Sequence, residues 1–229
     1  MKRSATFRAS RRSFLGALAP ALVTTLAAGS LGIGNASAQA LVEGKNYQRL
    51  KNPQAVDSGK KIEVLYFFSY GCPHCRDFDP ALQPWLKSLP PDVEFRRVPV
   101  DFGREQWANL GKILYTLDAL GTEGALTSDV FLAIHDKRMP LHQEQAFFDW
   151  AASKGLDKKK VEDTFKSFGV SSKMNRARQL AKAYNIQSVP VVFIDGKFQV
   201  SAEGAGSHAA MPAAMNQLID KARAERPKA

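Results

Sequence analysis

Cysteine is the scarcest residue in this chain. There are two in 229 residues, Cys72 and Cys75. Two cysteines exclude a disulfide-stapled scaffold. Their spacing also excludes a useful staple, because closing so short a loop stabilises a fold by roughly 2 kcal/mol against about 4.7 for a 100-residue loop. A pair that opens and closes makes better sense of the spacing. Histidine is nearly as sparse, at four, and none of His135, His142 and His208 shares a motif with Cys72, His74 and Cys75. A four-ligand structural zinc site is therefore not expected, and neither is any other metal or cofactor. The chain has no internal repeat, no low-complexity tract after its N-terminal segment, and no dense Lys/Arg stripe interleaved with aromatics. Nucleic acid is accordingly not an expected partner, and Lys158-Lys159-Lys160 reads as the solvated start of a helix.

Acidic residues are absent from the first 38 positions, whereas Lys2, Arg3, Arg8, Arg11 and Arg12 form a basic head. A weakly apolar stretch follows from Phe14 to Ile33. Pro20, Thr24, Thr25, Gly29 and Ser30 make it a poor membrane span. Ala36-Ser37-Ala38 then supplies the small-x-small pattern of a cleavage site, so residues 1–38 read as an export signal and the mature chain as starting near Gln39. Ser10-Arg11-Arg12-Ser13-Phe14-Leu15 resembles a twin-arginine signal, with Gly16 where such signals often carry Lys, and both Sec and twin-arginine export fit. No cysteine lies near the cleavage site to carry a lipid. Such a signal points to the bacterial periplasm, where disulfides persist. Removing it leaves 27 basic and 22 acidic residues, a net charge of +5, on about 190 residues, enough for one domain or a domain with a large insertion.

The short aromatic and β-branched run Ile62–Phe68 predicts a buried strand. Gly71 ends it. Pro73 suits the first turn of a helix, which is expected to reach Lys87 with bends at Pro80 and Pro84 and to place Cys72 at its N-terminus. Val93–Val100 predicts a second core strand. Residues 105–120, 126–137, 143–155 and 157–168 then read as four amphipathic helices, and Phe147, Phe148 and Phe165 as their core. Ser171 or Ser172 is the expected cap of a fifth helix running to Tyr184. Asp195-Gly196 between Val191–Ile194 and Lys197–Val200 is a hairpin signal. Ser207 is the expected cap of a last helix that buries Met215, Leu218 and Ile219. An α/β unit thus opens, a helical block interrupts it, and a hairpin and helix complete its sheet. His135, His142 and His208 read as surface or capping residues, and Trp85, Trp107 and Trp150 as core.

These residues resemble the DsbA-type periplasmic thiol:disulfide interchange proteins of the thioredoxin superfamily. The resemblance rests on Cys72-Pro73-His74-Cys75 after an aromatic strand, on Ser188-Val189-Pro190 before the VVFIDG hairpin, on more than a hundred residues between the two, and on the export signal. It covers essentially the whole mature chain. It implies a thioredoxin fold (class α/β) with an inserted helical domain, divided as residues 39–103, 104–170 and 171–229, and a cis bond before Pro190. It also implies a dithiol oxidase that works as a monomer, donates its disulfide to reduced exported polypeptides, and is reoxidised by a DsbB-type quinone-linked membrane oxidase. One departure stands out. The family often carries an acid six positions before the first cysteine, and here that position is Tyr66. Glu63 is nine before and on the opposite strand face.

The chemistry follows from the residue types. Exchange needs one thiolate and a second thiol to resolve the mixed disulfide. Cys72, at a helix N-terminus, is the expected nucleophile, because backbone N–H groups and the positive dipole end favour an anionic sulfur. Cys75, one turn in, is the expected shielded resolving thiol. Pro73, His74 and Tyr66 are the expected tuners of thiol acidity. Val189 and Pro190 are expected to offer backbone to an extended substrate by strand addition. Two other readings use the same groove. One is a disulfide reductase or isomerase, although about 20 residues ahead of the sheet leave no room for a separate dimerisation domain. The other is a thiol-dependent chaperone or metal carrier.

Overall fold

The computed structural model describes residues 40–226, and the expected export signal at residues 1–38 lies outside them. Strand β1 is Gln48–Arg49, β2 Ile62–Phe68, β3 Val93–Pro99, β4 Val191–Ile194 and β5 Phe198–Ser201. They form one sheet in the order β1-β5-β4-β2-β3. β2 is buried at every position, as its apolar and aromatic run, interrupted only by Glu63, requires. It lies between β3, parallel to it with Tyr66 opposite Arg97, and β4, antiparallel with Tyr66 opposite Val192. The hairpin thus closes onto the opening unit, as expected. Its second strand is Phe198–Ser201, one residue later than the sequence reading. Asp195 and Gly196 both take positive φ in the turn, and a Cβ on Gly196 would meet the Gln54 carbonyl oxygen at 2.1 Å. β1 was not foreseen, since two residues carry no readable alternation.

Helices α1 (Pro73–Lys87) and α8 (Met211–Glu225) cover one face of the sheet, and α6 (Phe168–Ala183) packs on the other. The first face carries Ile62, Val64, Tyr66 and Phe68, packed with Phe78, Leu82, Met215, Leu218 and Ile219. The other carries Leu65 and Phe67 with Ala177 and Tyr184. Trp85 Nε1 donates to Asn216 Oδ1 at 2.7 Å and ties α1 to α8. α1 runs through Pro80 and Pro84 without a break. Both prolines face solvent.

Between β3 and α6 come α2 (Glu105–Ala119), α3 (Glu123–Phe131), a π-helical turn (Leu132–Asp136), α4 (Glu144–Ser153) and α5 (Lys158–Phe165). Phe147 and Phe148 pack their rings 5.6 and 5.5 Å from Phe165, as their spacing predicted. Several helix bounds differ from the sequence reading, α5 for instance ending at Phe165 rather than 168, and two starts shift most. α3 starts at Glu123 rather than 126, and its last turn widens into the π segment. α6 starts at Phe168, because Ser167, not Ser171 or Ser172, accepts from the Val170 N–H at 3.2 Å. Ser207 does accept from Ala210 N–H at 3.1 Å, although the regular helix begins only at Met211, with the short α7 (Ala202–Ala205) ahead of it.

Candidate active site

The turn that carries the thiols is held from three sides. Gly71 N–H donates to Ser69 Oγ and Cys72 N–H to Ser69 O, each at 3.1 Å. A Cβ on Gly71 would meet Trp107 Nε1 at 3.0 Å, so a residue without a side chain suits this position. The Tyr70 carbonyl can only accept, so His135 Nε2–H donates to it at 2.8 Å, while the Tyr70 hydroxyl bonds Thr127 Oγ1 at 3.0 Å. The π turn places His135 there, beneath the entry to α1.

Cys72 occupies the N-cap position of α1 with extended backbone (φ −94°, ψ 118°), and Pro73 is the first helical residue. The Cys72 carbonyl accepts from Cys75 and Arg76 N–H at 3.1 and 3.2 Å. Its thiol donates to the Val189 carbonyl at 3.4 Å. That contact brings together two sequence motifs 117 residues apart, and the Val189–Pro190 bond is cis. Both cysteines are free thiols. Cys72 is 6 % exposed and Cys75 0 %, so the nucleophile candidate is more covered than a freely exposed thiol, and the contrast between the two is one of degree.

The electrostatic contrast is larger. The Cys72 pKa falls from 9.0 to about 6, first because the Cys75 thiol hydrogen-bonds the Cys72 sulfur. Burial opposes the fall, and the Cys75 and His74 backbone N–H groups and the His74 ring reinforce it. Cys75 moves the other way, well above its usual range, first through burial and then because its proton is held toward Cys72. One proton shared along one axis lowers one pKa and raises the other.

Tyr66 lies against Cys75. Its hydroxyl is fully buried and has no nitrogen or oxygen partner. Its ring is fixed edge-on to Phe78 at 5.4 Å and stacked on Phe68 at 5.3 Å. Burial, then the Cys75 charge, lifts its pKa well above 10, so it is neutral wherever Cys72 titrates. Glu63 stays on the opposite strand face, where it pairs with Arg96.

The structure therefore brings Cys72, Pro73, His74, Cys75, Tyr66, Val189 and Pro190 to one place. Two residues read as surface or capping belong beside them. His208, ahead of α8, stacks its ring 6.0 Å from His74 and lies 6.4 Å from Phe78. His135 braces the turn. Neither has a motif, and only the packing of α8 and α3 on α1 reveals them. Asp79, 5 % exposed on α1, accepts from Ser128 Oγ at 2.5 Å and Gln83 Nε2 at 2.8 Å, tying α1 to α3.

Known proteins share this fold. Residues 63–214 match the DSBA-like thioredoxin domain family. The thiol:disulfide interchange protein DsbA of Pseudomonas aeruginosa is 37 % identical over 203 residues, spanning 89 % of this chain and 96 % of that one. Its counterpart from Burkholderia cepacia is 39 % identical over 169 residues, 73 % of this chain and 79 % of that one. The crystal structure of the Pseudomonas aeruginosa protein superposes with a TM-score of 0.77 at 37 % identity, covering 82 % of this chain and 97 % of that one. The Neisseria meningitidis oxidoreductase NmDsbA1 gives 0.72 at 28 % identity, covering 80 % and 95 %. With the family match, the identity and the superposition all spanning most of its length, this chain belongs to the DsbA family of thioredoxin-fold thiol:disulfide oxidoreductases with an inserted helical domain.

Proposed function

We propose that the protein is a monomeric dithiol oxidase of the bacterial periplasm, exported by a cleaved signal at residues 1–38, that gives its Cys72–Cys75 disulfide to reduced exported polypeptides. In this reading residues 39–103 and 171–229 form the thioredoxin-fold part and residues 104–170 the insertion. A substrate thiolate attacks Cys72 Sγ. The Cys72–Cys75 bond breaks, and Cys75 leaves as a thiolate that takes up a proton. A second substrate thiolate then attacks the substrate sulfur of the mixed disulfide, and Cys72 leaves as a thiolate. The substrate has lost two electrons and the Cys72/Cys75 pair has gained them. A DsbB-type membrane partner that passes electrons to quinone restores the disulfide.

The observation that carries this reading is the Cys72 pKa of about 6 beside a Cys75 pKa raised by burial. A low thiol pKa stabilises the reduced pair and makes Cys72 the better leaving group, and both effects favour giving the disulfide away. Pro73 supports it by starting the helix, and His74 by adding positive charge. The carbonyl of Val189, 3.4 Å from the Cys72 sulfur, supports strand addition of a substrate backbone beside Pro190. The test is the equilibrium potential of the pair against glutathione, together with turnover of a reduced peptide. A potential near thioredoxin's, about −270 mV, or slow oxidation of reduced peptide, assigns a reductase instead.

A further inference from the structure

His74 and Phe78 stand one turn apart on α1, so their side chains share one side of the helix. Both meet the same ring. The His208 imidazole lies 6.0 Å from that of His74, with 25° between the planes, and 6.4 Å from the Phe78 ring, with 31° between them. Paired rings in offset stacks stand roughly 4.5 to 7 Å apart, so both contacts qualify. Phe78 is fully buried and stands edge-on to Tyr66 at 5.4 Å. His208 therefore joins a buried ring to the exposed ring of His74. The segment that delivers it is tied down. Gly206 ends α7 with φ 91°, a left-handed value that suits glycine. Ala210 N–H donates to Ser207 Oγ at 3.1 Å, and Met211 N–H donates to the His208 carbonyl at 3.3 Å. Met211 is wholly buried and anchors the start of α8. His208 itself is half-buried.

His74 has no such anchor of its own. It is exposed in the first turn of α1, and its ring makes no hydrogen bond to any described residue. An exposed side chain free to change rotamer spreads its field over several positions. A charge acts on a neighbouring sulfur more weakly as the distance grows. The His74 ring is one of the groups that lower the Cys72 pKa, so its place matters to exchange. We propose that His208 is a positioning residue for the thiol chemistry: stacked on His74, it keeps that imidazole near the Cys72 sulfur, and it does so as a flat ring and not as a charge. The role rests on the dithiol-oxidase reading, in which an acidic Cys72 is the group that leaves.

The test is a double-mutant cycle on His74 and His208, read by thiolate absorbance titration of Cys72. His208→Ala should weaken the Cys72 acidity constant by roughly two- to fivefold, less than His74→Ala does. In a His74→Ala background the same change should have no further effect. His208→Phe keeps a ring and removes the charge, and it should hold the value of the unmodified protein. Proton NMR of the unmodified protein should show a nuclear Overhauser effect between the two imidazoles. An unchanged acidity constant in His208→Ala would overturn the proposal. So would additive effects of the two alanines, a His208→Phe protein shifted as far as His208→Ala, or no contact between the imidazoles by NMR. Failure of the oxidase reading would look different: the unmodified protein would have a thioredoxin-like potential, while the differences among these variants would stand.

Discussion

Cys72 and Cys75 stand one helical turn apart on α1, and nearly everything around them differs. Cys72 caps the helix, touches the Val189 carbonyl and faces backbone N–H groups and the His74 imidazole. Cys75 is sealed by the sheet, with the Tyr66 hydroxyl as its polar neighbour. The same thiol chemistry is therefore pushed down to about pKa 6 at one site and well up at the other. The lesson is that a dithiol becomes directional through the split between its two pKa values. The Cys75 thiol proton, reinforced by the N–H groups of the helix N-terminus, supplies one half of that split and the buried sheet face the other.

The largest expected effect comes from removing one member of the pair. Cys72→Ser should abolish exchange. Cys75→Ser should keep attack at Cys72 and accumulate mixed disulfides with exported proteins, since nothing resolves them. Non-reducing gels and mass spectrometry of the two variants check this, and a Cys75→Ser protein without adducts would reverse the roles.

A second way to disturb the contrast is to charge the neighbour of Cys75. Tyr66→Glu places a carboxylate under both sulfurs. It should raise the Cys72 pKa by on the order of one unit, and so lower the potential by up to about 30 mV. Thiolate absorbance titration of both proteins measures it. An unchanged pKa would mean that the new acid stays protonated in its apolar surroundings.

The pH dependence of stability reads the contrast without mutation. A depressed thiol pKa stabilises the reduced fold, fully so above the unfolded value of 9.0, and the gain fades as pH falls through about 6. At pH 7 this thiolate contribution to the reduced fold is about 1.4 kcal/mol, and the stability of the reduced protein relative to the oxidised one should rise by roughly 1.3 kcal/mol from pH 7 to about 8. Above pH 9 Cys75, kept protonated in the fold, should begin to cancel the gain. Paired denaturant melts from pH 5 to about 10 test the whole curve, and a difference between the two forms that stays flat between pH 6 and about 8 would contradict it.

The smallest expected change is at the imidazoles. The His74 ring acts on Cys72 after the hydrogen bonds and the backbone N–H groups. His74→Ala should therefore raise the Cys72 pKa by less than about one unit, leaving it below that of Cys75. A larger rise would move the main cause from the Cys75 thiol hydrogen bond to the imidazole.

Much of this was legible in the chain itself, for physical reasons. A run as apolar as Ile62–Phe68 has to be buried on both faces, Pro73 starts a helix at little cost, and Asp195-Gly196 tolerates the positive φ of a tight hairpin. These local rules place Cys72 at a helix N-terminus and Cys75 one turn inside it. Strand alternation also put Tyr66 and Glu63 on opposite faces. Tertiary structure alone decided what meets across distance. No local rule brings Val189 to the Cys72 sulfur, His208 to His74, or His135 to the Tyr70 carbonyl. Those contacts join segments about 65 to 135 residues apart, and they depend on how helices settle on the sheet. A thiol's acidity is set by such neighbours, so the sequence named the sulfurs and the fold set their pKa values.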